Sequence, residues 1–130
     1  MFPEIDLHLR PDVNSPAEAR RSLEALRPSV DVVLVDDAVL LVSEIVSNSV
    51  LHASLDKNDA IEVRVRGSSA TLHVDVIDPG PGFDPERIEP SRPGGLGLRL
   101  LDRLATRWGV ERNDVTRVWF ELTGPVSSHS

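Results

Sequence analysis

The strongest constraint on the fold is a segment without Pro or Gly that runs from Asp31 to about Ala53. Its apolar residues are too dense for a surface strand, although its many valines slightly favour β structure. Strands rarely exceed about ten residues, so the length of the segment indicates a helix with much of its circumference buried. We therefore predict a central helix over these residues.

The residues before this helix predict one strand and one helix. Alternation of apolar and polar residues over 5–10 is typical of a half-buried strand. Ser15 is predicted to be the N-cap of the first helix, with Pro16 at its first position and Glu18 completing a capping box. This helix should end at about Arg27, because a proline follows.

The residues after the central helix predict a hairpin, a long loop, a short helix and a final antiparallel pair. The loop is irregular because it holds five prolines and four glycines. Irregular segments of this length are usually binding loops or lids. The predicted elements are a polar turn over 55–59, strands over 61–66 and 72–78, the loop over 79–95, a helix over 96–105, and strands over 108–112 and 116–122.

The composition is that of one ordinary soluble domain. The chain has 130 residues, enough for a two-layer core but not for two independent ones, and we assign 1–124 to the domain and 125–130 to a flexible tail. It has no Cys, no bilayer-length apolar stretch and no signal sequence at its start, so we expect a cytoplasmic protein. A net charge of -7 makes nucleic acid a poor partner, and we expect no membrane association.

The first motif lies on the predicted central helix. Glu44, Asn48 and His52 follow one another at i, i+4 spacing and form a slowly turning polar stripe among apolar neighbours. Burying a carboxylate and an amide there costs free energy unless they are paired, and a hydrated Mg²⁺ bound to phosphates is a suitable partner. A solvent-exposed edge of a helix is the alternative interpretation.

The second motif, Asp78-Pro79-Gly80-Pro81-Gly82, directly follows a predicted apolar strand. The Asp78 carboxylate can accept a hydrogen bond from an exocyclic amine. Gly80 and Gly82 let the backbone pass close to a flat ring. An ordinary turn has the same composition.

The third motif is Gly94-Gly95-Leu96-Gly97-Leu98, where the long loop gives way to a helix. Backbone N–H groups at such a helix entrance can meet phosphate oxygens, and the helix dipole favours an anion there. The motif is neither a Walker A loop nor the dinucleotide fingerprint. A glycine-rich hinge is the alternative.

The order and spacing of the three motifs resemble those of the GHKL (Bergerat-fold) ATPases, the superfamily of gyrase and the histidine kinases. The resemblance extends from about Leu7 to Leu122. It implies an α+β fold, a two-layer sandwich in which a mixed, largely antiparallel sheet packs against about three helices. It also implies ATP and Mg²⁺ as cofactors.

Within this superfamily the segment 41–53 is similar to the N box of the anti-sigma-factor serine/threonine kinases. That resemblance implies a kinase that phosphorylates an anti-anti-sigma (STAS) protein, binds a sigma factor and forms a homodimer, for which we expect the first strand and helix to supply the interface. It implies a nucleotide site with Glu44 as general base, Asn48 as Mg²⁺ ligand, Asp78 as the adenine-binding acid, Gly80 and Gly82 at the adenine pocket, Gly94, Gly95, Leu96, Gly97 and Leu98 at the phosphates, Thr116 at the adenine side, and His52 at the position where related ATPases often carry Lys.

Two other functions stay open at this point. A module that binds ATP and a partner without phosphotransfer needs no base, and Glu44 argues for chemistry. A detached histidine-kinase ATPase domain is the third possibility. The segment 83–93 is expected to form a mobile lid over the nucleotide.

Overall fold

The computed structural model describes residues 4–52, 59–68, 70–79 and 97–124. These residues form one five-stranded sheet with strand order β1-β2-β3-β5-β4 and three helices. The elements, in chain order, are β1 (Glu4–Leu9), α1 (Ser15–Glu24), α2 (Val32–His52), β2 (Ile61–Gly67), β3 (Thr71–Asp78), α3 (Gly97–Leu104), β4 (Arg107–Arg112) and β5 (Thr116–Thr123).

The α+β fold class is confirmed, with one correction to the sheet. All four strand pairings among the described residues are antiparallel, so the predicted mixed character of the sheet is wrong for this part of the chain. The helical connection from β1 to β2 returns the chain so that these two strands pair antiparallel. The connection from β3 to β4 leaves these two strands parallel, but β5 lies between them and pairs antiparallel with both.

The central helix is confirmed as α2, and it organises the core. It packs against α1 on one side and against β3 and β5 on the other. The alternating side chains of β2, β3 and β5 that face the helices are buried, and all but Asp78 and Thr116 are aliphatic or aromatic, with Phe120 among the largest. Because α2 is buried on two sides, it has a larger proportion of apolar residues than a surface helix.

The start of α1 differs from the prediction. Asn14, not Ser15, is the N-cap, and no side chain caps the helix. The Ser15 hydroxyl instead donates to the carbonyl of Arg10 at 2.5 Å and accepts from the N–H of Asp12 at 3.0 Å. The buried Ser15 hydroxyl thus pairs with backbone groups of the turn before the helix. The predicted capping box with Glu18 does not form.

The end of α1 also differs, since the helix ends at Glu24, three residues earlier than predicted. The chain continues in turns, with the N–H of Leu26 bonded to the carbonyl of Leu23. An Arg27 guanidinium bridges Glu24 and Asp36 across the junction to α2. These pairs link the end of α1 to the first turns of α2, and the two helices pack against each other.

The predicted hairpin, the third helix and the final strand pair are confirmed as β2–β3, α3 and β4–β5. The predicted polar turn lies almost entirely outside the described residues, as do most of the long loop, the lid and the tail. None of the helices in the described ranges is long and apolar enough to cross a membrane.

The face of the sheet that points away from the helices carries charged side chains and one tryptophan. The Arg117 guanidinium contacts Asp75 at 2.5 Å and Glu111 at 3.0 Å. The Trp119 ring stacks on His73 and lies over Gly109, where a Cβ would come within 2.6 Å of the indole nitrogen. This glycine is needed for the close approach of the indole to β4.

Candidate functional site

The candidate site begins at the end of β3. Asp78 is the last residue of that strand and continues the helix-facing series of Leu72, Val74 and Val76. Because side chains alternate along a strand, this position directs the carboxylate into the layer between sheet and helices, and Asp78 is 3% exposed. A carboxylate placed there needs polar partners to offset its desolvation.

Two polar residues lie beside this carboxylate. Thr116, the first residue of β5, is the register partner of Asp78 and is itself buried. The hydroxyl of Ser49 on α2 donates to Asp78 Oδ2 at 2.7 Å in a buried hydrogen bond. The end of β3 is therefore tied to α2 by a side-chain hydrogen bond, and Thr116 lies beside Asp78 on the neighbouring strand.

The polar stripe of α2 continues from this point. Asn48 precedes Ser49 and is 3% exposed, while Glu44, one turn earlier, is half-buried. The interpretation of the stripe as a solvent-exposed helix edge is wrong for Asn48. It applies in part to Glu44, a residue that is only half-buried.

Asn48 has an unusual feature. Its Oδ1 atom is buried and has no hydrogen-bond partner among the residues that the structure describes. An unpaired buried oxygen costs about 1–3 kcal/mol, so a native structure holds one only for a reason. An amide oxygen is a ligand that Mg²⁺ accepts, and this atom therefore fits a cation site.

Most of the buried polar side chains in the described part of the chain lie in one cluster. Six polar or charged residues are buried in the described part of the chain, and two of them, Ser15 and Ser43, bond to nearby backbone carbonyls. The other four are Asn48, Ser49, Asp78 and Thr116. Asn48 and Ser49 are consecutive, Ser49 donates a hydrogen bond to Asp78, and Asp78 is the register partner of Thr116. Local backbone needs explain the first two, whereas the other four form a cluster suited to a polar ligand.

The glycine motifs and His52 are described only in part. His52 is the last residue of α2, one turn beyond Asn48. Gly97 is the first residue of α3 and Leu98 the second, and α3 packs against α2. The site residues that lie outside the described ranges are Gly80, Gly82, Gly94, Gly95 and Leu96.

Sequence reasoning missed Ser49. The signal was present, because Ser49 is a polar residue directly after Asn48 in a helix that is apolar on most sides. Only the packing of α2 against β3 shows that its hydroxyl meets Asp78, which lies 29 positions away.

Asp37 on α2 has a carboxyl group with a shifted pKa. Burial raises the pKa of the Asp37 carboxyl, and the neighbouring charge of Asp36 raises it further. Asp36 is paired with Arg27 at 2.9 Å. Asp37 lies almost two turns before Glu44, so its shift concerns the stability of α2 rather than the polar cluster.

An antiparallel sheet covered on one face by helices, with the polar cluster between the central helix and the strand ends, defines an α+β sandwich of the GHKL type. The chain belongs to the family of histidine kinase-like ATPase domains, whose sequence model matches residues 9–122. The family resemblance and the fold expected from the sequence are both confirmed.

The solved structures similar to the chain include two bacterial proteins. One contains the RsbU and RsbW domains of Rv1364c from Mycobacterium tuberculosis, with a TM-score of 0.69, 21% identity, and coverage of 95% of this chain and 33% of that one. The other is the EL346 blue-light activated histidine kinase of Erythrobacter litoralis, with a TM-score of 0.56, 26% identity, and coverage of 72% and 31%. The chain thus spans about a third of each. No curated protein sequence gave a significant match.

Proposed function

We propose that the chain is an ATP-dependent serine/threonine protein kinase that acts as an anti-sigma factor and phosphorylates a STAS-domain partner. The observation that carries the nucleotide part is the buried cluster of Asn48, Ser49 and Asp78. Membership of the ATPase domain family supports ATP as the nucleotide. The serine/threonine specificity rests on the N-box resemblance.

In this proposal the cluster would bind the nucleotide at two points, the adenine base and the phosphates. Asp78 would accept a hydrogen bond from the exocyclic amine of adenine, with Thr116 closing the same side. Asn48 would hold Mg²⁺ through Oδ1, and the cation when bound supplies charge neutralisation on the phosphates. The entrance of α3, with Gly97 at its first position, would offer backbone N–H groups to the phosphates.

Glu44 is the candidate base. It lies one turn from Asn48 and is half-buried, and in this proposal its carboxylate would face both the bound nucleotide and the incoming protein. It would accept the proton of the substrate hydroxyl as the hydroxyl oxygen bonds to the γ-phosphorus and the bond to the β–γ bridging oxygen breaks. ADP leaves, and the proton stays on Glu44 until solvent removes it.

The partners follow from the same proposal. A net charge of -7 suits a basic sigma-factor surface and would raise the association rate at low salt. We include a homodimer of about 29 kDa, twice the chain mass of 14.3 kDa, with α1 and β1 at the interface. A regulator of this kind would act in the cytoplasm.

Phosphotransfer to purified STAS proteins tests the proposal. The chain is incubated with γ-labelled Mg-ATP and each STAS protein of the source organism, and the product is treated with acid and with base. Acid-stable label on the STAS protein supports a serine/threonine kinase. Acid-labile, base-stable label on histidine would favour the histidine-kinase alternative, to which the 26% identity with EL346 gives some support. ATP binding without transfer to any STAS protein would favour the binding module.

A further inference from the structure

The hydrogen bond from Ser49 to Asp78 has features that set it apart from the other serine contacts. Donor and acceptor are both buried, they lie 29 positions apart, and the bond joins α2 to the last residue of β3 at 2.7 Å. A hydroxyl that donates to a carboxylate forms a charge-assisted bond, about twice as strong as a neutral one. The bond therefore constrains the carboxylate more than packing alone would.

We propose that Ser49 is a positioning residue that fixes the Asp78 carboxylate in the orientation that selects adenine. The inference rests on the proposed nucleotide site, in which Asp78 meets the exocyclic amine. The χ2 torsion of an aspartate is broad and roughly two-fold, whereas a hydrogen bond to a ligand is directional. Holding Oδ2 sets the plane of the carboxylate before the nucleotide arrives.

Ser49 also lies next to the proposed Mg²⁺ ligand, Asn48, on the same helix. It directly follows Asn48, so the two side chains leave the helix about 100° apart and only about 1.5 Å apart along its axis. One turn of α2 then sets the position of both the carboxylate at the base end and the amide oxygen suited to Mg²⁺. The distance between the two ends of the nucleotide is thereby tied to a rigid helix.

Another buried serine on the same helix provides a matched control. The Ser43 hydroxyl donates to the carbonyl of Leu40 at 2.9 Å, within α2 itself. Removing it deletes a buried hydroxyl without touching Asp78. Ser43→Ala therefore separates a general effect of losing a helix hydroxyl from an effect on the carboxylate.

The test compares two nucleotides. Calorimetry measures the affinity of the unmodified chain, Ser49→Ala, Ser49→Cys and Ser43→Ala for Mg-ATP and for purine riboside triphosphate, which lacks the 6-amino group. We expect Ser49→Ala to lose about tenfold in ATP affinity, within the range for a hydrogen bond to a charged group. Its affinity for the nucleotide without the amine should stay within about twofold of that of the unmodified chain. Ser43→Ala should match the unmodified chain for both nucleotides.

Ser49→Cys keeps most of the side-chain volume but has a weak donor, so it keeps the test valid if the alanine variant does not fold. It should show the same selective loss for ATP. Equal losses of affinity for both nucleotides would overturn the proposal, because Ser49 would then have only a structural role. An unchanged ATP affinity in both Ser49 variants would also overturn it. If the unmodified chain binds no ATP, the proposed function itself fails, which is a different result from ATP binding that ignores Ser49.

Discussion

Replacement of Asn48 by alanine should have opposite effects on stability and on ligand binding. In the free protein the buried Oδ1 atom lacks a hydrogen-bond partner among the described residues, which costs about 1–3 kcal/mol. Alanine also forms helix better than Asn by up to about 0.7 kcal/mol. The small cavity left behind costs about 1 kcal/mol per methyl-sized void.

These terms together predict that Asn48→Ala raises the free energy of unfolding of the nucleotide-free protein by about 0–3 kcal/mol. Each 1 kcal/mol corresponds to about 4 °C in Tm for a domain of this size. The neighbouring variant Ser49→Ala is the matched comparison, because its hydroxyl is paired with Asp78. It leaves a carboxylate oxygen with one donor fewer and should lose about 1–2 kcal/mol.

Urea unfolding of both variants without nucleotide measures these differences, and ATP titrations with Mg²⁺ and with EDTA measure the binding side. In the unmodified chain Mg²⁺ should tighten ATP binding, whereas in Asn48→Ala the two titrations should give nearly the same affinity. The reasoning is refuted if Asn48→Ala destabilises the free protein by more than about 1 kcal/mol while Mg-ATP affinity is unchanged. That result would make Asn48 an ordinary structural amide.

Three further predictions concern Glu44, Asp37 and Gly109. Glu44→Ala should keep Mg-ATP affinity within about tenfold but lower phosphotransfer by about 10²-fold or more, and normal transfer in a radiolabel assay would remove its role as base. Asp37→Asn should stabilise the protein at pH 7, because a raised pKa in the folded state means that the charged form costs stability there. The gain should vanish in thermal melts as pH falls below the unfolded pKa of about 3.9, and a gain independent of pH would contradict this cause. Gly109→Ala should cost about 1–3 kcal/mol by overpacking against Trp119, and an unchanged urea midpoint would show that the indole moves away freely.

Most of the fold could be predicted from the sequence, because its strongest signals are local. The length of the segment at 31–53 excluded a strand, and period-two alternation located β2 and β3 within about a residue. The antiparallel pairing of β3 with β5 needed the structure, since these strands are separated by a loop and a helix.

Residues of the candidate site could be predicted only where they belong to a sequence motif that suggests a specific chemical role. Glu44, Asn48 and Asp78 were predicted this way, and in the structure Ser49, the neighbour of Asn48 in sequence, donates a hydrogen bond to Asp78. The roles of Ser49 and Ser15 were not predictable, because a serine can bond in several ways and only tertiary packing selects one. Ser15 matched a helix cap by pattern, yet its hydroxyl bonds to the preceding turn.

The measurement that tests the central claim most directly is nucleotide selectivity in the unmodified chain and in Asp78→Asn. Asp78 is buried and fixed by Ser49 at 2.7 Å, and an amide of the same shape keeps the packing but removes the charge. Calorimetry should show Mg-ATP binding at least about tenfold tighter than Mg-GTP in the unmodified chain, and a loss of at least about tenfold in ATP affinity in Asp78→Asn. Equal affinity for ATP and GTP in the unmodified chain, or undiminished ATP binding by a folded Asp78→Asn variant, would contradict the adenine site proposed at the end of β3.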